Sequence, residues 1–245
     1  MITKLAMAAA VGCFLVARGV RRRSLYLRIR ALKDQTDAAT WERIQESFNV
    51  VERAFAQYRD SELALAFNGG KDCLIVFQLV KAYCEHYHRP MPFLVYFERE
   101  DEFPEMIDFM HRTVESRNLT IHTVKGGFKQ GLQELKDLGI RAVLMGQRRS
   151  DPYAPDAHFA MTTQGWPELM RINPILDMNY TSVWAFLRGT STTYCSLYDQ
   201  GYTSLGPKSK TLPHSRLSSD SVGSTARPAH ELVLEVEADE RAGRV

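Results

Sequence analysis

Apolar residues recur along the chain in two alternating rhythms. Between residues 35 and 58, Trp41, Ile44, Phe48, Val51, Phe55 and Tyr58 return every three or four positions, which predicts an amphipathic helix with one buried stripe. The uncharged run Leu63-Ala64-Leu65-Ala66-Phe67 follows the polar Arg59-Asp60-Ser61-Glu62 and reads as a buried parallel strand. From residue 71 to 87 helical spacing resumes through Leu74, Ile75, Phe77, Leu79, Val80 and Tyr83. The alternation continues with strands over 92–97, 119–124 and 141–146 and helices over 103–118 and 128–138, the last stopping at Gly139. Strands separated by helices need crossovers. The expected fold is therefore α/β, a parallel twisted sheet with helices on both faces in a single catalytic domain, with ligands held at the carboxyl ends of the strands.

The first strand ends at Asn68-Gly69-Gly70-Lys71-Asp72-Cys73, and a helix begins at once. A strand, a glycine turn and a helix in that order aim unpaired backbone N–H groups at one point, where the helix dipole also favours an anion. A Cβ at either glycine would hold a phosphate oxygen away from the backbone. Lys71 offers charge. Asp72 repels phosphate unless a cation lies between them, which points to metal-bound nucleotide and to Asp72 as the Mg²⁺ partner. Neither the G-x-x-x-x-G-K-[ST] nor the G-x-G-x-x-G spacing is present. The plainer alternative is a strand-to-helix turn that needs glycine for geometry alone.

Composition narrows the choice. The 245 residues are 44% apolar, enough for a sizeable core, and the formal net charge of +2 gives no global basic field for nucleic acid. Cys13, Cys73, Cys84 and Cys195 are scattered without a C-x-x-C pair, against a structural zinc or a disulfide framework and in keeping with a reducing compartment. Charge is uneven locally: residues 1–33 carry eight basic and no acidic side chains, and 5–17 is apolar. That run is short for a membrane span, which takes about 20 residues. It reads as a mitochondrial presequence or a signal-anchor, with a secretory signal the weakest alternative; a cytoplasmic or mitochondrial enzyme follows, with membrane contact confined to residues 5–20. Residues 1–34 are thus set apart from a catalytic domain over 35–217, and 218–245 has the composition of a disordered tail. Within that tail Leu232-Val233-Leu234-Glu235-Val236 has the pattern of an added edge strand. Oligomeric state is not encoded in any of these features.

A second strand end, Gly146-Gln147-Arg148-Arg149-Ser150-Asp151-Pro152, carries two arginines suited to bidentate phosphate contacts and an aspartate that is either a turn former or a ligand acceptor. Among the aromatics, helical spacing places Trp184 in the core, whereas Trp166, in the loop Thr162-Thr163-Gln164-Gly165-Trp166-Pro167, is a candidate to stack on a ring. His86, His88, His111, His122 and His158 lack ligand spacing.

Three segments together, residues 67–73, 146–152 and the stretch from Tyr194 to Gly206, resemble the eukaryotic FAD synthase (FMN adenylyltransferase) family. This is a PAPS reductase-like group of the adenine nucleotide α-hydrolase fold, and the resemblance covers roughly residues 41–217. It implies transfer of AMP from ATP to FMN, giving FAD and pyrophosphate with Mg²⁺. It further implies that Asn68, Asp72, Arg148 and Arg149 serve catalysis, that Ala66, Phe67, Asn68, Gly69, Gly70, Lys71, Asp72 and Cys73 hold ATP and pyrophosphate, and that Asp151, Trp166 and Arg149 face the flavin. The chain departs from the pattern at His214, where the family commonly has Asn, and both groups form hydrogen bonds. Two other classes remain open at this stage. A PAPS reductase-type oxidoreductase would share the fold but needs a cysteine in a Glu-Cys-Gly-like setting, whereas Cys195 sits in Thr193-Tyr194-Cys195-Ser196. A catalytically inactive flavin- or nucleotide-binding protein would keep the glycines and lose the acids.

Overall fold

The computed structural model describes residues 24–218 and 226–244. The anchor or presequence expected near the start lies outside the described residues from 1 to 23. Among the described residues no helix is long and apolar enough to cross a membrane.

Six strands form one sheet in the order β3-β2-β1-β4-β6-β5, from β1 (Leu63–Ala66), β2 (Phe93–Phe97), β3 (Ile121–Val124), β4 (Ala142–Leu144), β5 (Phe159–Met161) and β6 (Met170–Ile172). All pairings are parallel except β5 with β6, which pair antiparallel. The sequence pattern therefore located four of the six strands. The β5–β6 pair escaped it because both strands are short and mostly part-exposed and no helix separates them.

Side chains alternate across the sheet and define two unequal layers. On one face Leu63, Leu65, Leu94, Tyr96, Ala142 and Leu144 meet α2 (Ala38–Gln57), α3 (Lys71–Tyr87), α4 (Pro104–Glu115) and α6 (Tyr180–Gly189) in one large apolar cluster. On the other face Ala64, Val95, Phe97, Val124 and Val143 pack with Leu132 and Leu135 of α5 (Phe128–Asp137) in a much smaller one. One helix does not cover the whole face. The strand ends near β1 and β4 are left open there, and β1 contributes only the small Ala64 and Ala66, so a concavity forms at the point where the strand order reverses.

Helix starts follow local chemistry. Asp37 Oδ1 accepts the Thr40 N–H at 2.9 Å and starts α2 three residues later than the apolar spacing alone suggests. Pro104 opens α4, and Asn179 and Ser182 cap each other at the start of α6.

Both expected domain boundaries shift. The helix α1 (Leu25–Ala31), with Ser24 at its N-cap, buries Leu25 and Ile29 against α3 and α6, so the fold begins before residue 34. Residues 226–244 are not a loose tail. Ala229, Leu232 and Glu240 are buried, Tyr180 donates its hydroxyl to Ala229 O at 2.6 Å, and the Leu212 N–H donates to Gly243 O at 2.8 Å. No strand forms over 232–236, where Val233 and Val236 stay exposed. These contacts reach residues far away in sequence, which local composition does not record. Ile29→Ala is expected to remove about 2–5 kcal/mol of stability, the usual cost of emptying a core site. Urea unfolding measures this, and an unchanged midpoint would detach α1 from the core.

Candidate active site

The turn after β1 is shaped by its own residues. Asn68 Oδ1 accepts the Gly70 N–H at 3.0 Å, which closes a tight Asx turn. Gly69 takes a φ of +81°, and a Cβ there would lie 2.7 Å from the Met106 carbonyl oxygen, so only glycine fits. The helix α3 starts at Lys71, whose N–H donates to the Tyr198 hydroxyl at 3.0 Å. Tyr198 is buried, with its phenol pushed well above the usual range by burial and by the nearby Asp72 charge. Its hydroxyl thus caps the phosphate-type helix start.

The turn after β4 approaches from the side. A Cβ on Gly146 would sit 2.5 Å from the Cys73 nitrogen and 2.7 Å from the Asp72 carbonyl carbon, so glycine lets the two loops touch. Beyond it, the Arg148 N–H donates to Asp151 Oδ2 at 2.9 Å, which turns the chain and fixes the aspartate.

Beneath this junction lies a buried cluster of four charges. Lys71 Nζ is 3.0 Å from Asp72 Oδ2 and 2.5 Å from Glu240 Oε1. Arg148 Nε is 2.9 Å from Asp72 Oδ1, and its Nη2 donates to Glu240 Oε1 at 2.6 Å and to Oε2 at 2.5 Å. Lys71, Arg148 and Glu240 are at most 2% exposed. Burial is the largest influence on Lys71, Arg148 and Asp72 and opposes their charges, yet the partners together outweigh it: Asp72 and Glu240 hold Lys71 and Arg148 above their usual values, while Arg148 and Lys71 hold Asp72 below the usual carboxylate range. Cys73, next in line, is pushed up to about 11 by burial and by the Asp72 charge, so it stays a neutral thiol rather than a nucleophile.

Above the cluster opens a cavity of about 790 Å³. Its polar end is formed by Asn68, Gly146, Gln147, Asp151 and Arg241, and its apolar wall by Val95, Phe97, Leu132, Val143 and Leu169, with Trp166 and Tyr153 at the lining and Arg99 and Arg171 also reaching it. Of the residues singled out from sequence, Ala66, Phe67, Asn68, Cys73, Asp151 and Trp166 line this one cavity. Gly69 and Gly70 shape the loop beside it. Lys71, Asp72 and Arg148 lie in the charge cluster and not on the lining, Asp72 being the least enclosed of the three. Arg149 is elsewhere. It pairs with Asp177 through Nε, donates from Nη1 to Asp156 O at 3.1 Å, and remains half exposed.

Sequence reasoning missed Glu240 and Arg241. Arg241 lines the cavity and is ion-paired with Asp151, while the preceding Glu240 turns under the floor. No periodicity marks either residue, since both sit in a short 3₁₀ turn (Glu237–Arg241) held by distant partners. His214 does some of that holding: its Nδ1 accepts the Arg216 N–H at 3.2 Å, leaving Nε2 to donate to Asp239 O at 3.1 Å.

The chain is similar to known proteins in sequence and in fold. Residues 62–133 and 128–213, more than half of the chain, match the phosphoadenosine phosphosulfate reductase domain family. A probable FAD synthase of Schizosaccharomyces pombe is 41% identical over 215 residues, 82% of this chain and 78% of that protein. The chain belongs to the FAD synthase family. Other relatives extend the family: the flavin adenine dinucleotide synthase of Saccharomyces cerevisiae is 28% identical over 66% of this chain and 61% of its own length. A probable FAD synthase of Caenorhabditis elegans is 36% identical over 72% of this chain, which spans only 35% of that longer protein. The family fold is visible in a crystal structure of Candida glabrata FMN adenylyltransferase, which superposes with a TM-score of 0.80 at 21% identity over 90% of this chain and 94% of that one.

Gly146→Ala is expected to force the two loops of this family site apart at a cost of about 1–3 kcal/mol. A lower urea midpoint would register it; a wild-type midpoint would mean that the loops do not meet so closely.

Proposed function

We propose that the chain is an FMN adenylyltransferase that transfers AMP from ATP to FMN and releases FAD and pyrophosphate. The observation that carries this reading is the joining of a glycine turn at a helix start to an apolar-walled cavity whose polar end holds Asp151 and Arg241. One end suits phosphates and the other suits a flat ring system, and the volume is within the range of small-molecule sites, about 300–1,000 Å³. Membership of the FAD synthase family, with a relative at 41% identity, supports the same reaction.

In this reading an FMN phosphate oxygen attacks the α-phosphorus of ATP, and the bond to the pyrophosphate breaks as the new one forms. The pyrophosphate leaves with its electron pair toward the Asn68–Cys73 turn and the N-terminal end of α3, whose dipole favours an anion. No covalent enzyme intermediate is needed, and the FMN phosphate is already ionised near neutral pH, so no general base is required. The protein's task is to shield charge and align two anions. Arg241 lines the cavity at its polar end and is suited to a phosphate oxygen, with Asp151 orienting it. Arg148 and Lys71, which the two strand-end motifs offered to the phosphates, act from below by holding Asp72 ionised.

Asp72 would be the residue to hold magnesium: it is the part-exposed carboxylate of the cluster, and Mg²⁺ ordinarily takes one or two carboxylates and completes its shell with water and substrate phosphates. Bound there with ATP, the ion would neutralise charge on the departing pyrophosphate. The sulfonucleotide-reductase reading is not favoured: Cys195 is buried and its thiol is held above the usual value by burial.

The test is to incubate the protein with MgATP labelled at the α-phosphate, FMN and inorganic pyrophosphatase, and to separate the flavins. Label in FAD is expected only when both substrates are present, and Asp72→Ala is expected to lower its formation by about 10²–10³-fold, the loss typical of an electrostatic group at a transferring centre. Absence of labelled FAD from the wild-type protein would overturn the proposal.

A further inference from the structure

The proposed reaction leaves one buried acid unexplained. Glu240 is 2% exposed, lies 92 residues from Arg148 in sequence, and accepts no hydrogen bond from its own neighbourhood through its carboxylate. Instead Oε1 takes both Lys71 and Arg148, Oε2 takes Arg148, and its carbonyl accepts the Thr203 hydroxyl at 2.6 Å. Burying such a set of charges is not an economical way to stabilise a fold, because an apolar cluster of equal volume is often as good or better. What the charges provide is direction. Lys71 belongs to the first turn of α3, Arg148 to the turn after β4, and Glu240 to the 3₁₀ turn Glu237–Arg241, so one carboxylate ties a segment remote in sequence to the two loops that the β1–β4 pairing brings together.

We infer that Glu240 is a positioning residue for adenylyl transfer: by tying Lys71 to Arg148 beneath the cavity it sets the neighbouring Arg241 against Asp151 on the cavity wall. The inference rests on the proposed reaction. Two geometric facts carry it. Arg148 holds Asp151 through its own backbone N–H, so anchoring the Arg148 side chain fixes the loop that presents Asp151. Glu240 and Arg241 are consecutive, so anchoring the first below the floor determines where the second emerges. Removing the carboxylate would leave two buried cations with Asp72 between them and Glu237 3.7 Å from Arg148, and would draw Asp72 further into pairing with Lys71 and Arg148.

The experiment compares Glu240→Gln with wild type in the FAD-forming assay, well below each protein's measured unfolding midpoint. Gln keeps the shape and loses the charge. The expected result is a folded protein whose kcat falls about 10²-fold, the scale of a small misplacement of reacting groups, with KM for ATP and for FMN little changed. A wild-type kcat per folded molecule would overturn the inference, as would a loss confined to KM. If Glu240→Gln does not fold, Glu240→Asp decides: it retains the charge but is one methylene short, so it is expected to fold and to turn over at least tenfold more slowly, and wild-type turnover in it would reduce Glu240 to a structural role. Failure of the wild-type protein to make FAD would strike the proposed function, whereas normal turnover in a Glu240 variant strikes this inference alone.

Discussion

Four paired charges, the buried Lys71, Arg148 and Glu240 and the part-exposed Asp72, are the constraint on which the candidate site depends. The sheet brings the carboxyl ends of β1 and β4 side by side, but their pairing with each other ends at Leu65 and Leu144, before either loop begins. From there the two loops are held to each other by glycine contacts and by charge. Gly146 permits the approach to Cys73, and the cluster then locks it, since an unpaired buried charge would cost several kcal/mol. The cluster is formally neutral, with two cations and two carboxylates. Whatever attraction the site exerts on phosphate must therefore come from the groups above it: the α3 start, Arg241 and the cavity arginines.

The cavity itself has a simple origin in layer imbalance. Four helices cover one face of the sheet and α5 covers the other, so the side chains pointing toward α5 at the strand ends have no second helix to meet. Ala64 and Ala66 keep the floor low where larger residues would fill it. The apolar wall and the phosphate-type turn thus result from the same strand, whose alternate side chains face opposite layers while its end enters the glycine loop.

How much of this was readable in advance depended on whether the cause was local. Leu63–Ala66 with the Asn68–Cys73 turn is a short-range pattern, and the helices α2 to α5 announce themselves by spacing. By contrast, Arg148 and Arg149 are equivalent in sequence, yet one is buried under the cavity and the other pairs with Asp177 at the surface. Only the direction of the turn, set by Arg148 N–H to Asp151, separates them. The chain end was misread for a related reason: residues 226–244 lack the apolar density of an independent element, and their order comes from bonds to Tyr180, Leu212, His214, Thr203 and Arg148. The beginning of the domain was misplaced because a basic run masked the two buried positions, Leu25 and Ile29, of a helix of seven residues.

The central claim is that the end of the chain is a wall of the site. Backbone amide hydrogen exchange over residues 237–244, followed by mass spectrometry on the full protein, tests it most directly. The expected result is exchange slowed to the range of the first turn of α3, because docked amides open only with the charge cluster. Exchange of that peptide at the rate of an unfolded chain would contradict the claim.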